Sequence, residues 1–220
     1  MRGVGVNGLT QFEQEILIKY LIAKNLDFEY FLGRFYSEIE VPLGEKPDRS
    51  LSIWEVIKQF ERAVDDKFKK SSGVFYTPYF IVDYINTRVI SENLSEEIRV
   101  IDPACGCGVF LVDALFKLKQ KFQKKSYKEL VEENIFGIDI DPSAVRRTKI
   151  LLALVVFENE GQIPEKFNIY NGNSLDKVFL KRTLKDLKFE GVVGNPPYVR
   201  IQNLDEETRR IMRKYWGFVR

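Results

Sequence analysis

The pattern of apolar and polar positions changes character near residue 73. Before it, two stretches carry a helical period behind a start signal. Thr10 and Glu13 form the Ser/Thr-x-x-Glu pair of a capping box ahead of an apolar-periodic run, and Ser52 with Glu55 repeats it ahead of IWEVIKQFERAV. VPLGEKPD between them reads as a loop, and MRGVGVNG as a Gly-rich start. After residue 73, the short apolar runs IRVID, IFGIDI, FNIY and GVVG alternate with helical stretches expected from Gly108, from Pro142 and, more weakly, after FNIY. Such alternation predicts parallel strands joined by crossover helices. The expected fold class is therefore α/β: a doubly wound, mostly parallel sheet in residues 73–220, preceded by a helical region in residues 1–72. Ligands in such a sheet sit beyond the carboxyl ends of the strands.

The first strand runs into IDPACGCGVF. Asp102 closes it, and Gly106 and Gly108 let the backbone approach a ligand without Cβ collisions. Leu111 stands where a dinucleotide fingerprint would put its third glycine, which argues for another nucleoside-like ligand. The second strand ends as GIDIDPSAV. Asp139 is placed to accept from two vicinal hydroxyls, and Ile140 to lie against an adenine face. Asp141 before Pro142 reads as a helix cap. In YNGNSLD after the third strand, Asn173 fits a plain turn residue and a donor-acceptor for an adenine edge equally well. Upstream, Thr77 and Pro78 read as a helix cap and first helical residue, and a helix amino end of this kind also suits a ligand carboxylate.

GNPPYVR at the last strand end sets an amide, two prolines and a phenol side by side. The side-chain oxygen of Asn195 and the carbonyl of Pro196 can both accept from an exocyclic ring amine, drawing it toward tetrahedral geometry and localising its lone pair. Proline holds the carbonyl in place beforehand. Tyr198 offers a flat face on which a base stacks, worth about 1–3 kcal/mol, comparable with the cost of taking a base out of a duplex.

Composition narrows the chemistry. The 220 residues contain no histidine, which excludes Ser-His-Asp and Cys-His mechanisms. Cys105 and Cys107 are too close for a zinc knuckle and read as reduced small residues in a turn, so no metal site is expected. Thirty-four basic and 32 acidic residues give a net charge of +2, which does not by itself imply nucleic acid. The lysines of KLKQKFQKKSYK accompany Leu111, Leu115, Leu118 and Phe122 at helical spacing and read as the solvated side of an amphipathic helix. The longest apolar run, residues 150–157, is too short to span a bilayer; a soluble, cytoplasmic protein is expected.

GVFYTP, DPACGCGVFL, GIDID, GNSL and VVGNPPY occur in this order between residues 73 and 200, and on them the sequence resembles the S-adenosylmethionine-dependent N6-adenine methyltransferases of DNA. NPPYVR followed by DEETRRIMRKYW looks most like the type IIG restriction-modification group. The resemblance implies a Rossmann-like methyltransferase fold with strand order 4-1-2-3, and S-adenosylmethionine as cofactor. It implies Thr77 at the methionine carboxylate, Asp102 and the glycine loop near the methionine amino group, Asp139 on the ribose hydroxyls and Asn173 at the cofactor's adenine amine. Tyr76, Ala104, Gly106, Ile140 and Ser174 fall in the same cofactor-binding motifs. Asn195, Pro196 and Tyr198 are implied at the target adenine, with Asn195 also bordering the cofactor. Asn173 stands where many relatives have Asp.

Such methylases have about seven strands and a target-recognition domain, so the sequence resembles an amino-terminal portion whose GVVG strand would be an open edge unless a second chain covers it. Double-stranded DNA is the implied partner. The competing readings are a protein-glutamine or RNA-base methyltransferase, which NPPY also suits, and a non-catalytic cofactor-binding or assembly subunit in which the helices of residues 1–72 and RRIMRK recruit a partner.

Overall fold

The computed structural model of the chain describes residues 11–35, 50–62, 77–90, 95–185, 187–199 and 203–217. MRGVGVNG, Thr10, VPLGEKPD and Tyr76 lie outside the described residues. The elements are α1 (Gln11–Ala23), α2 (Phe28–Gly33), α3 (Ile53–Arg62), α4 (Tyr79–Val89), β1 (Val100–Asp102), α5 (Val109–Lys121), α6 (Tyr127–Glu133), β2 (Ile135–Asp139), α7 (Pro142–Glu160), β3 (Asn168–Asn171), α8 (Lys177–Leu184), β4 (Gly191–Val192) and α9 (Glu206–Trp216).

The four strands form one sheet in the order β3-β2-β1-β4, and all three pairings are parallel. This is the α/β architecture expected from the alternation of elements, and the strand order that the family resemblance implied. The period-2 alternation of a strand sorts side chains to two faces. Val100, Ile135, Ile169 and Val193 join the large core built with α5 and α7. Ile101, Phe136 and Ile138 face the other way, where Phe179, Leu180 and Leu184 of α8 and Phe189 cover them. β4 pairs only with β1 among the described residues, and Val192 is exposed, so its outer side is an open edge.

Several local features follow from sequence signals. Ser52 and Glu55 make the expected capping box, the Glu55 carboxylate accepting from Ser52 N–H at 2.9 Å. Asp141 caps α7 by accepting from Ser143 N–H, with Pro142 in the first turn and Gly161 in a left-handed conformation closing the helix. Leu111, Leu115, Leu118 and Phe122 are buried, and of the lysines beside them Lys117 pairs with Asp83 while Lys119 donates to the carbonyls of Gln123 and Lys125. α6, capped by Ser126 and Glu129, was not expected; its S-x-x-E signal lies inside SYKE, after a lysine run that masks it.

Glu13, whose expected capping-box partner Thr10 lies outside the described residues, makes a long-range contact. Its carboxylate is fully buried and pairs with Arg147 of α7, and Arg146 Nη2 lies 3.8 Å away. Tyr20 donates to Glu158 near the other end of α7. Around these contacts Leu17, Leu21, Phe31, Val56 and Phe60 of the first three helices share one buried cluster with Leu115 of α5 and Leu151 and Leu154 of α7. A buried Leu or Phe contributes about 1.5–3 kcal/mol, whereas a buried ion pair is often neutral against an apolar pair of the same volume. Apolar burial therefore supplies the docking energy, and the Glu13–Arg147 pair selects the register of α1 on α7. Glu13→Ala, which strands Arg147, is expected to lower urea-unfolding stability by about 3–5 kcal/mol, and adding Arg147→Met should recover much of the loss. A single variant within about 0.5 kcal/mol of wild type would contradict this.

Candidate functional site at the strand carboxyl ends

The carboxyl ends of β1, β2, β3 and β4 lie side by side, and the loops that follow bring together residues distant in sequence. After β1 the chain turns over Pro103, and Ala104 N–H donates to Asp102 Oδ1 at 2.9 Å. Gly106 and Gly108 take φ of +53° and +85°, a region open to glycine at little cost. A Cβ on Gly106 would meet nothing within 4 Å, so open space lies above the loop; one on Gly108 would come within 2.9 Å of Thr148. Thr148 Oγ1 in turn donates to Gly106 C=O at 2.9 Å, fastening the loop to α7.

Asp139 ends β2 and reaches back to the same loop. Its Oδ2 accepts from Gly106 N–H at 2.8 Å and its Oδ1 from Asp141 N–H at 2.9 Å. Each oxygen keeps a further acceptor site, since an ionised carboxylate offers about four. Ile140 beside it projects into solvent with 63% of its surface exposed, a free apolar face at the mouth. Asn171 Nδ2 donates to the carbonyls of both Asp139 and Ile140, tying the β3 end to the β2 end. Sequence reasoning passed over Asn171 as half of an Asn-Gly turn.

Asn173 Oδ1 accepts from Leu175 N–H at 2.9 Å, and Asn173 C=O from Asp176 N–H at 3.0 Å. The turn reading of this residue is thus realised, with Nδ2 and a second lone pair on Oδ1 remaining for a ligand. Ser174 follows it, half-buried.

β4 leads through Gly194 into the Asn-Pro-Pro-Tyr corner. Gly194 has φ of +139°, and a Cβ there would stand 2.5 Å from Asp102 Oδ1. Asn195 is half-buried, whereas Pro196, Pro197 and Tyr198 are exposed, Tyr198 at 71%. Asn195 Nδ2 donates to Thr77 Oγ1 at 3.1 Å across 118 residues of sequence.

Thr77 is buried and does not cap α4 as expected: the helix begins at Tyr79, Pro78 takes the cap position, and no side chain bonds to the first-turn amides. The hydroxyl is held by Asn195 instead, which leaves those amides uncapped. The position of α4 is set by Asn86, a buried polar residue on its apolar side. Asn86 Nδ2 donates to Phe110 C=O and to Asp113 Oδ2, and Tyr79 O–H donates to Asp113 Oδ1. An Asn four residues after Val82 on the apolar stripe of YFIVDYINTRV was the sequence signal for this contact.

Residues 56–217 match the model of the N-6 DNA Methylase family. The chain belongs to that family. Among curated proteins, this chain is 29% identical over 178 residues to the type I restriction enzyme MjaIX methylase subunit of Methanocaldococcus jannaschii, covering 79% of this chain and 27% of the relative. It is 32% identical over 152 residues to the type II methyltransferase M.BstVI of Geobacillus stearothermophilus, covering 64% of this chain and 27% of that protein. The chain thus spans about a quarter of the length of these relatives. Among solved structures, a DrdV–DNA complex superposes with a TM-score of 0.54 at 16% identity, covering 92% of this chain and 26% of that one, a likeness of fold.

The electrostatics of the candidate site centre on Asp102. Burial pushes its carboxyl up to about 7; the Ala104 N–H draws it down, and the charge of Asp139 adds to the rise. Asp139 is raised by burial too, against the lowering effect of the Asp141 and Gly106 N–H groups. The buried thiols of Cys105 and Cys107 are pushed up, so both remain neutral and unreactive. Among the described residues no cluster of His, Cys, Asp and Glu is arranged to hold a metal, and no helix is long and apolar enough to cross a membrane.

The sign of the Asp102 effect is testable. A folded-state value above the unfolded one of about 3.9 means that the folded chain retains a proton the unfolded chain gives up. Its stability contribution therefore declines as pH rises from about 4 to 7 and stays low above. Asp102→Asn, which keeps the acceptor for Ala104 but cannot ionise, should unfold at higher urea than wild type at pH 8, with the difference shrinking toward pH 4. A difference independent of pH would contradict the assignment.

Proposed function

We propose that the chain forms the cofactor-binding and catalytic core of an adenine-specific DNA methyltransferase of restriction-modification type, transferring a methyl group from S-adenosylmethionine to the 6-amino group of an adenine turned out of the duplex. The observation that carries this reading is the hydrogen bond from Asn195 to Thr77. It directs the amide nitrogen toward α4 and leaves the side-chain oxygen of Asn195 for a substrate amine, in a corner that abuts Asp102 through Gly194.

The residues fit the cofactor. Asp102 is a buried carboxyl without a cation beside it among the described residues, and an ammonium is the partner that would restore its charge. The open space over Gly106, the remaining acceptor sites of Asp139, exposed Ile140 and the polar groups of Asn173 and Ser174 follow one another along the mouth. Ala104 and Gly106 contribute the backbone of the loop, and the uncapped amides at the start of α4, behind Thr77, suit the cofactor's carboxylate. When bound, S-adenosylmethionine supplies an activated methyl group.

The side-chain oxygen of Asn195 and the carbonyl of Pro196 accept from the two protons of the adenine amine and turn its lone pair toward the methyl. The exposed ring of Tyr198 is free to stack on the extruded base, offsetting the cost of unstacking. Once the nitrogen has accepted the methyl group it becomes strongly acidic, and its proton passes to water without a histidine.

Asn195→Ala is expected to reduce transfer of labelled methyl to mixed-sequence duplex by at least about 10²-fold, as for loss of a donor or acceptor aimed at developing charge, with S-adenosylmethionine affinity by calorimetry within about threefold of wild type. Asp139→Ala should instead weaken cofactor binding by tenfold or more. Methyl transfer to a glutamine peptide in preference to DNA would overturn the substrate assignment.

A further inference from the structure

From the structure we infer that the outward face of α8, together with Trp216, is a contact surface for the phosphate backbone of duplex DNA; this rests on the proposed DNA substrate.

α8 turns Phe179, Leu180 and Leu184 to the sheet, and every residue it exposes in its first two turns except Val178 is basic. Lys177, Val178, Lys181 and Arg182 line an open groove of about 440 Å³, with no carboxylate in its lining among the described residues. Lys185 continues the basic row at the helix end, and none of these four cations has an ion-pair partner among the described residues. Lys117, Lys125 and Lys128 on other elements, by contrast, are each matched with Asp or Glu. An unneutralised row of cations repels itself and is better accommodated by a polyanion than by water alone.

Two further features fit that polyanion. Lys177 and Lys181 are four residues apart, about 6 Å along the helix axis, a spacing that lets them reach neighbouring phosphates of one strand. The first cation is also fixed in place. Trp216 Nε1–H donates to Leu175 C=O at 2.8 Å, and Lys177 Nζ sits 4.7 Å from the indole centroid, so the lysine loses less freedom on binding than a solvated one. The groove opens directly after Asn173 and Ser174, at the carboxyl end of β3, so a duplex lying along it passes the mouth where the adenine must enter. The indole, 40% exposed, lies beside Lys177, one of the residues that line the groove.

The test uses the full chain and a fluorescently labelled mixed-sequence duplex, with affinity measured by anisotropy from 0.05 to 0.3 M salt. The triple variant Lys177→Gln/Lys181→Gln/Arg182→Gln should lower the log–log salt slope by about 2 to 3, and affinity at 0.1 M salt by about 10²-fold, irrespective of DNA sequence. Val178→Glu, which leaves every cation in place and adds a carboxylate to the groove floor, should also weaken binding. Lys58→Gln/Lys124→Gln, two exposed cations away from the groove, should leave the slope within one unit of wild type. An unchanged slope in the triple variant, an equal fall in the control, or absence of duplex binding by wild type would overturn the surface. So would a drop in melting temperature that accounts for the loss in both groove variants. Calorimetry with S-adenosylmethionine runs separately: if wild type fails to bind it, the proposed enzymatic function falls while the salt slope still decides the surface.

Discussion

Asp102 is enclosed where two parts of the site meet, and its enclosure constrains both. Its carboxyl holds the first amide of the glycine loop on one side, and on the other it presses so closely on Gly194 that a Cβ has no room. The glycine at 194 is therefore required twice, by its φ of +139° and by the approach of Asp102. Because Gly194 immediately precedes Asn195, the same contact fixes how far the Asn-Pro-Pro-Tyr corner stands from the glycine loop. The cost is a buried acid whose charge is unfavourable until a cation arrives, an arrangement that functional sites repeatedly adopt.

The corner has a second anchor in Thr77, and Thr77 is held in turn by α4. Helix α4 is fastened to α5 by a buried polar network, Asn86 and Tyr79 on Asp113, with Lys117 bridging Asp113 and Asp83. Such a network specifies one register where apolar side chains alone would tolerate several, because a one-turn slip leaves Asp113 buried without partners. The pair Glu13–Arg147 plays the same part for α1 on α7. Apolar burial stabilises these helices, and a few buried polar pairs decide where along each other they stop.

The two faces of the sheet are treated differently. One lies under the combined core of the first seven helices, whereas the other is covered, among the described residues, by α8 and Phe189. α8 must therefore be apolar on one side, and nothing in the packing dictates its other side.

Much of this molecule was legible in the chain itself. Local chemistry set the strands by apolar runs ended by Asp, Asn or Gly, the start of α7 by Asp141-Pro142, the capping box at Ser52, and the presence of a loop that only glycine can make. These depend on neighbours within a turn, so the order of residues suffices. The placement of Asp139 at the end of β2 was equally readable, since a strand end is a position in sequence. Contacts between residues far apart in sequence were not: that Thr77 would serve Asn195 and not its own helix, that Glu13 would pair with Arg147, that Gly194 would be required by Asp102. A hydroxyl or carboxylate can satisfy several partners at nearly equal free energy, so sequence leaves the choice open. Packing of the sheet and helices brings one partner within reach and buries the rest of the alternatives, and burial, by making an unmet polar group costly, turns proximity into a single outcome.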